Sequence, residues 1–125
     1  MPKSIAWLVL TVLGAAPGVL RAAEPPVLRV IVIEAYDVKA YKKELEALLK
    51  LERAVVPEAT ARVWRARFAG ADAGTLVVTA EMPNLAALAR IDELERTSPE
   101  FAAALKRVQA LRRIVSDSLY EEAGP

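Results

Sequence analysis

The chain has 125 residues, no Cys, no His, and 17 basic against 16 acidic side chains. Lacking Cys, it has no disulfide framework, thiolate metal site or thiol nucleophile; lacking His, it has no imidazole base and no His ligand for haem or zinc. The length fits one domain, and the near-zero charge gives no pull toward nucleic acid or an anionic membrane.

Residues 1–23 read as a secretory signal. Lys3 supplies the positive start, and residues 5–16 (IAWLVLTVLGAA) are an apolar run. At about 1.5 Å per helical residue, this run is too short to span a bilayer core of about 30 Å. Gly14, Pro17 and Gly18 then break the segment. Cleavage after Gly18 sets a small residue, Ala16, at the −3 position; the boundary adopted here follows Ala23. The competing reading is an uncleaved N-terminal anchor. Residues 24–125 are then one exported domain, periplasmic or secreted, with no membrane attachment after cleavage.

Pro25-Pro26 keeps the next stretch extended. Residues 27–36 (VLRVIVIEAY) are rich in β-branched side chains, with Leu28, Val30 and Val32 on one face and Ile31 and Ile33 on the other. A strand apolar on both faces is a central one. Asp37 is placed to cap a helix over 38–56, where Val38, Tyr41, Leu45, Leu48, Leu49, Leu51 and Val55 recur at helical spacing. Glu46 and Lys50 are four apart, a favourable pairing, and Pro57 ends the helix. Residues 60–68 and 75–82 flank a loop with Gly70 and Gly74, which reads as a hairpin. A symmetric register sets Phe68 opposite Leu76, Ala66 opposite Val78 and Trp64 opposite Ala80, all on one apolar face. The other face then holds Val63, Arg65, Arg67, Thr75, Val77, Thr79 and Glu81. Asn84 caps a second helix carrying Leu85, Leu88, Ile91 and Leu94. Ser98-Pro99 restarts it with a fresh cap and a Pro at the first helical position, so this helix is kinked or split. Residues 113–120 are the expected last strand.

The order β-α-β-β-α-β, with right-handed crossovers, gives a four-stranded antiparallel sheet with its helices on one face, the ferredoxin-like α+β arrangement. The uncovered face is apolar along the first strand and needs a cover. A second copy of the same face closes a two-subunit barrel, so a homodimer through the sheet face is expected.

Over residues 27–120 the chain resembles the dimeric α/β-barrel superfamily, which includes antibiotic-biosynthesis-monooxygenase-like domains. Two stretches carry the resemblance. One is Glu81-Met82-Pro83-Asn84-Leu85-Ala86-Ala87-Leu88, a strand ending in an acid and leading into a capped, Ala-rich helix. The other is Ser98-Pro99-Glu100-Phe101, a Pro–acid–aromatic restart. The resemblance implies the fold and the dimer, but no single activity, because similar frames host oxygenases, dismutases, isomerases and binding proteins. Haem-binding members use a His ligand, which this chain lacks, and no cofactor is expected. Cofactor-free oxygenases of similar fold use Asn, Trp and Arg. Asn84, Trp64 and Arg65 are of those types but do not map one to one, so no catalytic residue is carried over.

The candidate ligand-binding residues are Arg65, Arg67, Thr79, Glu81 and Tyr36. On the symmetric register the first four share the mixed face. There Arg65 and Arg67 can hold a carboxylate or enolate while Glu81 acts as acid or base. The competing reading is a cross-strand ion pair or an interface salt bridge. Tyr36 and Tyr41 flank the turn after the first strand, Tyr36 at a possible cavity mouth and Tyr41 in the helix stripe. Glu34 and Asp37 form a carboxylate pair, with capping the simpler role for Asp37, and no metal site is expected. Ser116 and Ser118 have no His to activate them and sit in no Gly-x-Ser-x-Gly elbow, which excludes serine hydrolase chemistry. Three roles remain open: binding a small apolar or aromatic molecule, cofactor-independent oxygenase or isomerase chemistry, and a protein-interaction module.

Overall fold

A computed structural model describes residues 24–68 and 70–125; the expected signal segment lies outside the described residues. In chain order the elements are β1 (Val27–Ala35), α1 (Val38–Val55), β2 (Thr60–Arg65), β3 (Leu76–Met82), α2 (Leu85–Thr97), α3 (Pro99–Ala110) and β4 (Arg112–Glu121). The strands form one antiparallel sheet in the order β2-β3-β1-β4. This is a ferredoxin-like α+β fold, with β1 central and β4 at an edge.

Local chemistry sets the helix ends. The Asp37 carboxylate accepts a hydrogen bond from the Ala40 N–H at 3.0 Å, and the Asn84 side-chain oxygen accepts from the Ala87 N–H at 2.8 Å. Each cap satisfies a donor that the first helical turn leaves free. Ser98 ends α2 through its backbone N–H to the Leu94 carbonyl, and starts α3 by accepting from the Phe101 N–H at 3.1 Å. Pro99 follows at a position needing no N–H. The expected second helix is therefore two helices that share a cap.

The core lies between the helices and one sheet face. Tyr41, Leu45, Leu48 and Leu49 come from α1, and Ile91, Phe101, Ala104 and Val108 from α2 and α3. They pack onto Val27, Ile33, Leu76, Val78 and Met82 of the sheet. Tyr41 is fully buried, and its hydroxyl has no hydrogen-bond partner among the described residues. Glu46 pairs with Arg53 at 3.2 Å, two helical turns on, rather than with Lys50.

The hairpin register differs from the symmetric one by three residues. Arg65 faces Leu76, Trp64 faces Val77, Val63 faces Val78 and Arg62 faces Thr79. An odd shift turns every side chain of β2 to the other face. The cause is an asymmetric turn. The Ala66 carbonyl accepts from the Gly74 N–H at 2.8 Å, and Gly74 sits at φ 91°, a left-handed conformation that favours Gly. Closing the hairpin there leaves Arg67 and Phe68 in the loop. Small Ala61 and Val63 then lie beneath the helices, and bulky Trp64 lies on the uncovered face.

β4 carries an irregularity of its own. Val32 pairs with Ser116 and Ile33 with Ile114, so Val115 is an extra residue, a β-bulge. Past the bulge, Asp117 pairs with Ile31 and lies on the helix side of the sheet.

Candidate functional site: a chamber between sheet and helices

β1 presents alternate side chains to the helices: Val27, Arg29, Ile31 and Ile33. Arg29 is thus a cation in phase with core residues. It is held by Asp117 of β4 through two bonds, Nε to Oδ1 at 3.0 Å and Nη2 to Oδ2 at 2.7 Å. This fork-to-fork pairing raises the Arg29 pKa above its ordinary value, and the same bonds hold the Asp117 carboxyl below the usual range.

Beside this pair lies a cavity of about 260 Å³ between the sheet and all three helices. Leu45, Leu48, Val78, Met82, Ile91 and Phe101 give it apolar walls. Its polar lining comprises Arg29, Glu52, Asp92, Glu95, Gln109 and Arg112. Asp92, Glu95 and Gln109 are exposed and mark its opening, whereas Glu52, Arg29 and Arg112 are partly buried. An apolar concavity with a few converging polar groups is the usual form of a small-molecule site, and this volume suits a molecule of one or two rings.

Glu52 is a partly buried acid of the chamber wall. Burial pushes its carboxyl up to about 7; Arg29 opposes this, Asp92 reinforces it and Arg53 opposes it. Both arginines are bonded elsewhere, Arg29 to Asp117 and Arg53 to Glu46. Arg112 also lines the chamber, with its buried Nε–H unpartnered among the described residues.

The candidate residues from the sequence fall in four places. Thr79 and Glu81 do meet, on the uncovered sheet face, in a shallow depression of about 200 Å³ with Leu28, Thr60, Arg62 and Trp64. There the Trp64 indole N–H donates to the Thr79 hydroxyl at 2.9 Å, and the Arg62 guanidinium lies over the Trp64 ring at 5.9 Å. Arg65 is on the opposite face, at the end of β2, because of the register shift. Arg67 is in the hairpin loop. Tyr36 is 68% exposed beyond the far end of β1. Eight residues separate it from Leu28, the β1 partner of Glu81, which is about 26 Å of strand. The expected pocket floor of Arg65, Arg67, Thr79 and Glu81 therefore does not form. Glu34 accepts hydrogen bonds from Arg113 and Asp37 caps α1, so neither carboxylate is idle.

The sequence reading passed over Arg29 and Glu52, though both leave a trace. Glu52 follows Leu45, Leu48 and Leu49 at spacings of seven, four and three, in phase with the apolar stripe of α1. Arg29 alternates with Val27, Ile31 and Ile33. A charge in phase with a core stripe marks a polar group facing inward.

A third depression, of about 250 Å³, sits where Pro26, Val27 and Leu28 meet Tyr120, Glu121 and Glu122. Its acids are exposed, so the chamber is the stronger candidate.

The sequence matches no protein-family model and no curated protein. Solved structures do share its fold. The cofactor-independent oxygenase SnoaB of Streptomyces nogalater, in a mutant form, aligns with a TM-score of 0.62 at 16% identity, over 81% of this chain and 96% of its own. A NIPSNAP family protein of unknown function from Agrobacterium tumefaciens aligns at 0.60 and 11% identity, over 82% and 95%. A dimeric ferredoxin-like protein of unknown function from Thermobifida fusca aligns at 0.52 and 13% identity, over 83% and 95%.

Proposed function

We propose that this ferredoxin-like protein binds a small apolar or aromatic molecule in the chamber between its sheet and helices. The carrying observation is the chamber itself, an apolar-walled space of about 260 Å³ with ionisable groups gathered on part of its wall. The test is titration with naphthalenemethanol, followed by fluorescence. Saturable binding that is lost in Ala80→Phe, which fills the chamber from β3, supports the reading. Circular dichroism and a melting curve confirm that the variant folds. Absence of saturable binding, or binding indifferent to Ala80→Phe, refutes it.

The binding unit in this reading is a homodimer joined through the uncovered sheet face. That face exposes Leu28 at 36%, Trp64 at 49% and Tyr120 at 57%, an apolar area large for a lone subunit to leave in water. Residues 1–23 act as an export signal that is removed. Mass spectrometry of the exported protein checks this, and retention of Met1 counts against it.

A second reading is a cofactor-independent enzyme. It is favoured by Glu52, whose carboxyl, at about 7, is matched to exchanging protons near neutral pH. Turnover of an enolisable aromatic that disappears in Glu52→Gln supports it.

A further inference from the structure

We propose that the chamber selects ligands by the charge of their polar end, taking an apolar molecule with a protonated amine and rejecting one with a carboxylate, with Glu52 as the selecting group. This rests on the chamber being a ligand site and adds the chemical class of the ligand.

The argument counts which charges are already engaged. Five ionisable side chains line the chamber: Arg29 on β1, Glu52 on α1, Asp92 and Glu95 on α2, and Arg112 on β4. α3 contributes Phe101, Leu105 and the neutral Gln109. Arg29 turns one edge of its guanidinium, Nε and Nη2, to Asp117. Arg112 lies where its charge also acts on Asp117. Arg53, the neighbour of Glu52 on α1, is bonded to Glu46. Arg29 and Arg53, the cations that act on Glu52, are thus bonded to other carboxylates, whereas Arg112 is not. The Glu52 carboxylate makes no hydrogen bond or ion pair with another described residue, and the charge of Asp92 repels it. A partly buried carboxylate against apolar walls, with its neighbours' charges already used, lacks one cationic hydrogen-bond donor. A ligand ammonium supplies that donor and leaves its apolar body against Leu45, Leu48 and Phe101. A ligand carboxylate meets three acids, Glu52, Asp92 and Glu95, with Arg112, which has no ion pair among the described residues, left to receive it.

The pH dependence follows. Glu52 is protonated below about 7, so it attracts the ammonium weakly in acid and strongly in base.

The test compares three probes of one shape on the intact protein: naphthylmethylamine, naphthalenemethanol and naphthoate, titrated by calorimetry at about pH 5.5 and about pH 8.5. A charge-assisted bond in a desolvated site predicts the amine to bind about tenfold or more tighter than the alcohol at the higher pH. The preference shrinks to about threefold or less at the lower pH. Naphthoate should be the weakest of the three. Glu52→Gln should bring the amine down to the affinity of the alcohol at both pH values, and Asp92→Asn should reduce the preference only partly. Equal or tighter binding of naphthoate overturns the proposal and makes Arg112 the selecting group. An amine preference that survives Glu52→Gln also overturns it. The two readings fail differently. If the alcohol does not bind either, the chamber is not a ligand site; if the alcohol binds and the amine gains nothing, only the charge selection falls.

Discussion

Replacing Glu52 with Gln should stabilise the protein, and only above mildly acidic pH. The folded chain holds the Glu52 proton up to about 7, whereas an unfolded chain releases it near 4.5. Below 4.5 both states are protonated and the site costs nothing. Between 4.5 and about 7 the unfolded chain alone ionises, so stability is lost as pH rises through this window. The full displacement, at about 1.4 kcal/mol per tenfold change in proton affinity, is worth about 3 kcal/mol. Glu52 keeps some contact with water, and screening lowers the expected loss to about 1–2 kcal/mol. Gln has the shape of the protonated acid and no charge to desolvate. Urea unfolding of both proteins at about pH 4, 5.5, 7 and 8.5 reads the effect as a difference between two curves, which cancels the titration of every other group. The curves should coincide at the lowest pH and diverge by about 1–2 kcal/mol at the highest, with the variant more stable. Parallel curves, or a variant less stable at about pH 8.5, would refute the account of Glu52 as an uncompensated inward carboxylate.

Asp117→Ala should free Arg29 to face Glu52. The Glu52 titration, followed by carboxyl-carbon NMR, should then move below its present value of about 7; an unmoved or higher value contradicts the claim that Arg29 is engaged elsewhere. Tyr41→Phe removes a fully buried hydroxyl without a partner among the described residues and should be neutral or stabilising by up to about 1 kcal/mol in urea unfolding. A loss of more than about 1 kcal/mol would show that the hydroxyl has a use. Asn84→Ala removes the α2 cap and should cost about 1 kcal/mol by the same assay. Trp64→Ala should weaken self-association by about tenfold or more in sedimentation experiments, and an unchanged dimer constant would move the interface off this face.

How much could be read in advance depended on how local each determinant is. Asp37, Asn84 and Ser98 announced their helices because a cap acts within three residues. The doubly apolar faces of the first strand placed it at the centre of the sheet, where β1 lies between β3 and β4. Pairing of the hairpin was harder. It turns on Gly74 rather than Gly70 closing the loop, and the two glycines look alike in sequence. That choice sent Trp64 and Arg65 to the faces opposite those expected, and it dispersed the anticipated pocket floor. The chamber escaped notice for a different reason. Its polar groups come from five elements spread along the chain, and Arg29 and Asp117 are 88 residues apart. Only their phase within otherwise apolar stripes betrays them.

The bulge at Val115 corrects a phase error. In an unbroken strand Ile114 and Asp117, three apart, would point to opposite sides; the extra residue lets both face the helices. Deleting Val115 should therefore be mild, since the ladder can close over the gap with every partner in place. Loss of a residue without such slack would swing Asp117 outward and leave the Arg29 guanidinium facing the apolar walls with its carboxylate gone. The anchoring of that cation is thus written into the spacing of the last strand as much as into the identity of its residues.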